Sequence, residues 1–210
     1  MVSKAASVES DVGSGRRRLS PEDRQLHLVR ACLDLIGRRP WDEVSMAEVA
    51  QAAGVSKPLL YHYFSTKTDL YRAAVRTAAG ELRAATASSD DIPGPLRLRR
   101  SLEAHLDWID ANANAYRAIL QGAVSADDEV QSIIDESRTD VVARLAAGFG
   151  FEEPTPEQRT VLRGWVGFLE GATLDWLMTK DVDRAGLTDL LAASVTSLVR
   201  LLRNPDQQPR

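Results

Sequence analysis

The side chains of this sequence best suited to chemistry lie close together. Ser45, Ser56, Lys57, Tyr61, His62, Tyr63 and Lys67 bring hydroxyl, imidazole and ammonium groups into one short stretch. Placed at 100° per residue on a helix, Lys57, Pro58, Tyr61 and His62 point one way, and Leu60 and Phe64 the other. A face of cationic and hydrogen-bonding groups beside a narrow apolar stripe suits a wet, anionic groove.

Enzymatic chemistry finds little support. The sequence holds no G-x-S-x-G, no H-E-x-x-H, no Walker A loop and no glycine-rich dinucleotide turn. His27, His62 and His105 are scattered, without the cysteine or carboxylate spacing of a zinc site. Asp127-Asp128-Glu129 reads as a helix cap, and Asp90-Asp91 as a solvated linker. Neither a metal nor a cofactor is expected.

The elements that must position the polar cluster are legible from caps and breakers. Ser45 N-caps a helix while Glu48 reaches back, an S-x-x-E capping box. Met46, Val49, Ala50 and Ala53 then fall on one side. Gly54 follows where a left-handed backbone is needed, and Val55 plugs the turn. Ser56 N-caps the next helix, with Pro58 in its first turn, where a missing N–H does no harm. Two short helices joined this tightly form either an ordinary αα-hairpin, with Tyr61 and Tyr63 half-buried, or a helix-turn-helix whose second helix enters the DNA major groove.

The run from Ala53, A-G-V-S-K-P-L-L-Y-H-Y-F-S-T-K-T-D-L-Y, resembles the DNA-binding domain of the TetR (tetracycline-repressor) family of bacterial regulators. Gly54-Val55-Ser56, Leu60-Tyr61, Tyr63-Phe64, Lys67 and Leu70 match the family pattern position by position. The likeness is close over about residues 20–80; beyond residue 85 only the helical layout and the length correspond. Pro40 departs from the pattern, standing where the family commonly has glycine before the aromatic filled here by Trp41. The resemblance implies that Ser45, Ser56, Tyr61 and Lys67 contact phosphates. It also implies base-edge contacts from Lys57 to guanine acceptors, from Pro58 and Leu59 to thymine methyls, and from His62 or Tyr63.

Charge is consistent with this when the chain is divided. The 210 residues carry a net charge of −4, yet residues 16–80 hold 11 Lys/Arg against 7 Asp/Glu and the remainder is acidic. A basic head on an acidic body favours DNA contact at one end; a DNA-coating protein would be basic throughout. The lone Cys32 excludes a disulfide framework and sits in an apolar helical pattern. No apolar run is long enough for a membrane span, and the N-terminal stretch lacks the apolar segment of a secretory signal. A cytoplasmic location follows.

Residues 1–18 are Ser/Ala/Gly-rich and end in Arg16-Arg17-Arg18, which reads as a solvated tail or as a basic arm touching DNA. Ser20-Pro21-Glu22-Asp23 opens the first helix, with Leu28, Cys32, Leu35 and Ile36 as its core face and Trp41 closing a three-helix core. Thr66 and Asp69 cap a connecting helix, the natural lever between two domains. Residues 86–95 read as a linker. Helical patterns follow over 96–111, 113–122, from Ser125–Asp128 to Gly148, over 156–178 and over 186–203. The class is all-α with about nine helices. The expected divisions are an arm at 1–18, a helix-turn-helix domain at 19–66, a connecting helix at 67–84, and an effector-binding and dimerisation domain at 85–210.

Two features mark the last domain. Gly164, Gly167 and Gly171 share one face of a helix, a costly choice that close approach of another backbone explains, within one chain or between two. The family resemblance implies a dimer interface there, with Gly164, Gly167, Gly171, Trp176, Leu191, Val195 and Leu198 as its candidates. The second feature is aromatic. The resemblance implies an effector pocket, for which Trp108, Tyr116, Leu120, Ile134, Arg138, Trp165 and Phe168 are candidates, although each could equally be core. The expected function is a homodimeric repressor of a palindromic operator, released by a small hydrophobic effector; an activator or a ligand-independent DNA-binding protein is the alternative.

Overall fold

A computed structural model of the chain describes residues 19–87, 94–121 and 127–203. The Arg16–Arg18 arm, the middle of the 86–95 linker and Ser125 lie outside the described residues. Those residues form nine α-helices, one short 3-10 turn and no strand.

The N-terminal part is built as its caps dictate. Helix α1 (Pro21–Ile36) begins at Ser20, whose Oγ accepts from Asp23 N at 3.0 Å, and it places proline in its first turn. A 3-10 turn (Trp41–Glu43) follows Pro40. Helices α2 (Met46–Ala52) and α3 (Lys57–Tyr63) are joined through Gly54, whose φ of +62° explains the glycine. Helix α4 (Lys67–Thr86) starts at the Thr66–Asp69 capping box and runs two residues past the expected end at 84. Leu28, Cys32, Val49, Leu60, Phe64 and Leu70 form a sealed core among these helices. Trp41 closes it from the side, its ring stacked on Tyr71 at 4.9 Å. Cys32 is fully buried, and burial pushes its thiol up to about 12.

The body comprises α5 (Gly94–Ala111), α6 (Ala113–Gln121), α7 (Asp128–Gly148), α8 (Pro156–Thr179) and α9 (Arg184–Arg203). Asp127 caps α7 by accepting from Glu129 N and Val130 N, and Thr155 with Gln158 boxes the start of α8. Helix α9 begins two residues before the expected Gly186, because Asp183 Oδ1 accepts from Gly186 N at 2.7 Å and acts as the starting cap. Helix α7 packs against α4 and α8, and α9 packs against α5 and α8. Among the described residues α9 alone has the length and apolar composition of a membrane span. Its inner face, Leu187, Leu191, Val195 and Val199, is instead taken up by the core of the body.

Candidate nucleic-acid interface and effector cavity

Ser45 is held by its own helix. Its N–H and Oγ both donate to Glu48 Oε2, at 2.8 and 2.7 Å, and Arg39 Nη2 donates to the other oxygen at 2.6 Å. The Arg39 and Ser45 hydrogen bonds hold the Glu48 carboxyl down at about 2, so the brace persists through the physiological range. One α2 end thus carries a fixed hydroxyl flanked by a guanidinium.

Helix α3 presents Lys57, Pro58, Tyr61 and His62 to solvent while Leu60 is completely buried. Ser56 Oγ accepts from Leu59 N at 3.3 Å and fixes the start of the helix. Lys57 Nζ lies 5.9 Å from the centre of the Tyr61 ring, a cation beside a phenol on one outward face. Leu59 is half-buried. So is Tyr63, which packs against the head core and meets the His62 ring edge-on at 5.4 Å. Lys67 lies at the start of α4; its Nζ donates to Asp42 O at 3.1 Å and sits 4.5 Å from the Trp41 ring centre. The structure therefore gathers Ser45, Ser56, Lys57, Pro58, Tyr61, His62 and Lys67 on the outer side of the head, with Leu59 and Tyr63 partly turned inward. The Arg39 brace and the Trp41 seat of Lys67 are contacts between distant segments, which neither periodicity nor a cap signals.

Head and body are joined along two lines. On α4, Arg72 grips Asp127 through Nε and Nη2 at 3.2 and 2.9 Å, and Arg76 pairs with Glu129 at 2.9 Å. This ties the lever to the first turn of α7. On α1, Gly37 approaches α6 so closely that a Cβ there would lie 2.7 Å from Asn114 Cβ. Only glycine fits that crossing.

Behind this junction is a cavity of about 800 Å³ walled by α4 to α9. Trp108, Tyr116, Leu120, Ile134, Arg138 and Trp165 are among the residues that line it. Burial raises the Tyr116 phenol far above its ordinary range, so that it is neutral. Trp165 Nε1 donates to Ser194 Oγ at 2.9 Å. Arg138 is half-buried and paired: it forms a two-pronged pair with Glu170, both contacts 2.8 Å, and a third with Asp135. The wall also contains His105, Arg144, Ser101 and Thr86, which sequence reasoning passed over. The available signal was a histidine on the apolar stripe of α5, between Leu102 and Ile109.

Phe168 requires correction. It does not line the cavity; it is 44% exposed on the outside of α8, on the face of Gly164 and Gly171 one turn away on either side. Trp176, Leu191 and Val195 also require correction as interface residues. All three are buried within the chain's own core, and Trp176 Nε1 donates to Val182 O at 2.9 Å. Periodicity found an apolar face on α9, but α5 and α8 already cover it. Leu198 is half-buried, packed beside the same core. Gly164, Gly167 and Gly171 are exposed, and no atom lies within 4 Å of where their Cβ would stand. On α8 and α9 the large apolar side chains left outside are Phe168, Met178, Leu190 and Leu201.

Comparison with known proteins agrees with this geometry. Residues 28–74 match the family described as bacterial regulatory proteins, tetR family, and residues 96–198 match the tetracyclin repressor-like C-terminal domain. A TetR-family transcriptional regulator from Streptomyces coelicolor superposes with a TM-score of 0.78 at 30% identity, covering 87% of this chain and 83% of that one. The transcriptional activator FasR of Mycolicibacterium smegmatis is 32% identical over 142 residues, 63% of this chain and 64% of FasR, so the chain spans just under two thirds of that relative. FadR from Bacillus subtilis, solved in complex with stearoyl-CoA, shares the fold with a TM-score of 0.67 at 15% identity over 82% of this chain and 97% of that one. The matched regions together take in the helix-turn-helix and nearly all of the helical body, and such proteins are DNA-binding regulators rather than enzymes. The chain belongs to the TetR family of bacterial transcriptional regulators.

Proposed function

We propose that the protein acts in the cytoplasm as a homodimeric repressor, binding a palindromic operator and releasing it when a small hydrophobic effector fills the body. The observation that carries this reading is the cavity itself. It runs about 20 Å beside α5, at 1.5 Å per residue from Gly94 to Trp108. A space of that length with mostly apolar walls suits a ligand carrying a long hydrocarbon chain, such as the stearoyl group that B. subtilis FadR holds. In the head, Ser45, Ser56, Tyr61 and Lys67 would hold phosphates, and Lys57, Pro58, Leu59, His62 and Tyr63 would reach base edges.

Helix α6 is suited to carry the signal. Its Tyr116 and Leu120 face the cavity, while its Asn114 lies against Gly37 at the end of α1. An effector that displaces α6 therefore moves the head, and the spacing of two recognition helices changes. The effector must bind the released state better, with a coupling of about 1–3 kcal/mol in typical cases. The dimer would pair the outer faces of α8 and α9, where Gly164, Gly167 and Gly171 admit a close backbone and Phe168, Met178, Leu190 and Leu201 supply apolar area.

Gel-shift titration on the chain's own promoter tests the scheme. Protection of two half-sites about one helical turn apart, lost on adding a long-chain ligand, is the expected outcome. Binding of a single half-site by a monomer would overturn it. Activation is the second reading, favoured by the name of the M. smegmatis relative; a fall in transcription on deleting the protein would select it.

A further inference from the structure

The cavity is not uniformly apolar. His105 is 9% exposed and lines its wall, and Nε2 of that ring has no hydrogen-bond partner among the described residues. Arg144 lines the same wall. Its Nη1 donates to Thr86 Oγ1 at 2.9 Å, while its Nε lies 3.1 Å from Asp140 Oδ2 without the alignment of a hydrogen bond. Burial, and after it the Arg144 charge, holds the His105 imidazole down at about 4, so the ring is neutral. Buried polar atoms in folded proteins are almost always satisfied, and Nε2 is a buried atom without a partner in a residue that lines the cavity.

We propose that His105 and Arg144 form an oxyanion anchor within the cavity, and that the effector is a hydrocarbon chain ending in a carboxylate. The carboxylate accepts from Arg144 and from His105 Nε2–H, in the tautomer that carries its proton there. The chain then runs along α7 toward Ile134, about 15 Å away at 1.5 Å per residue, and ends among Trp108, Tyr116 and Leu120. A dodecanoyl chain covers that stretch, and a longer chain would continue along the rest of the cavity. Both arginines have a carboxylate partner, but Arg138 is held by two aligned bonds to Glu170 and one to Asp135, whereas Arg144 Nε meets Asp140 without the alignment of a hydrogen bond, so the anchor falls to Arg144 rather than to the arginine that the sequence singled out.

The proposal rests on reading the cavity as the effector site, and its test needs no DNA. Isothermal titration calorimetry of the full chain is run with dodecanoate, methyl dodecanoate and dodecanol. Dodecanoate is expected to bind at least about tenfold tighter than the other two, the value of one charge-assisted hydrogen bond. Arg144→Met and His105→Gln should each erase that preference while leaving dodecanol affinity within about twofold, and Arg144→Lys should restore part of it. Equal binding of all three ligands overturns the anchor and leaves the hydrophobic cavity standing. The anchor is equally overturned if the variants lose acid and alcohol affinity alike, which would mark a structural role. If none of the three binds, the anchor falls together with the hydrophobic-effector reading.

Discussion

The head and the body bury their residues to different ends. Around Leu28, Val49, Leu60 and Leu70 the head is filled and every one of those side chains is sealed from solvent. Its polar groups are on the outside, fixed by caps and by the Arg39–Glu48 pair. The body keeps a cavity of about 800 Å³ with polar groups on its wall, the buried His105 and the half-buried Arg138–Glu170 pair among them. A DNA-reading surface needs a rigid base, because contacts to base edges must hold their geometry. A ligand-sensing core must forgo packing energy to leave space, and so has two arrangements within reach.

Core truncation offers the largest test of this contrast. Leu28→Ala and Leu60→Ala in the head should each cost about 2–5 kcal/mol in urea unfolding, because a new void opens in a filled core. Leu120→Ala, which only enlarges an existing cavity, should cost well under half as much. Equal costs would break the contrast.

The pH response of His105 comes next. Its folded value of about 4 lies below the ordinary value near 6.5, so the unfolded chain takes up the proton more readily between the two. Stability is therefore held above about pH 6.5 and is lost as pH falls toward 4, by on the order of 3 kcal/mol. Denaturation at pH 7 and pH 4.5 should show this fall in the wild type and a flatter one in His105→Gln. An unchanged fall would remove His105 from the account.

On the head surface, Lys57→Ala should weaken operator binding by roughly 1–3 kcal/mol and relax the preference at one base pair, with thermal stability preserved. Undiminished binding in a gel-shift titration would remove Lys57 from the recognition face. The smallest effect distinguishes a free face from a covered one. Gly167→Ala on an exposed helix face should stabilise the chain by about 1 kcal/mol. If a second copy's backbone packs there, the sign reverses, and gel filtration at micromolar concentration should show dimer loss in the variant.

What was legible in the sequence follows from how local each feature is. Ser45–Glu48, Gly54, Ser56–Pro58 and Thr66–Asp69 act within one turn of backbone, so residue type and spacing sufficed to place the two helices and the lever. Trp108, Tyr116, Leu120, Ile134, Arg138 and Trp165 could be put forward because the family resemblance implies a pocket in the body and the aromatic residues cluster there. Phe168, Trp176, Leu191 and Val195 were misplaced for one reason: periodicity shows that a helix has an apolar face, but not which neighbour covers it. The same limit hid His105 and Arg144, whose surroundings are assembled from residues far apart in the chain.

By itself, then, the sequence determined the helices, their caps, the outward set Lys57, Pro58, Tyr61 and His62, and the family to which the chain belongs. These depend on backbone hydrogen bonding and on the 100° turn per residue, which neighbouring residues specify. Tertiary structure decided that α8 turns Trp165 inward and Phe168 outward, that Arg138 is satisfied by Glu170, and that the buried His105 Nε2 is left without a partner in a residue that lines a cavity. Those outcomes depend on which helices meet, and packing settles that only when the whole chain has folded.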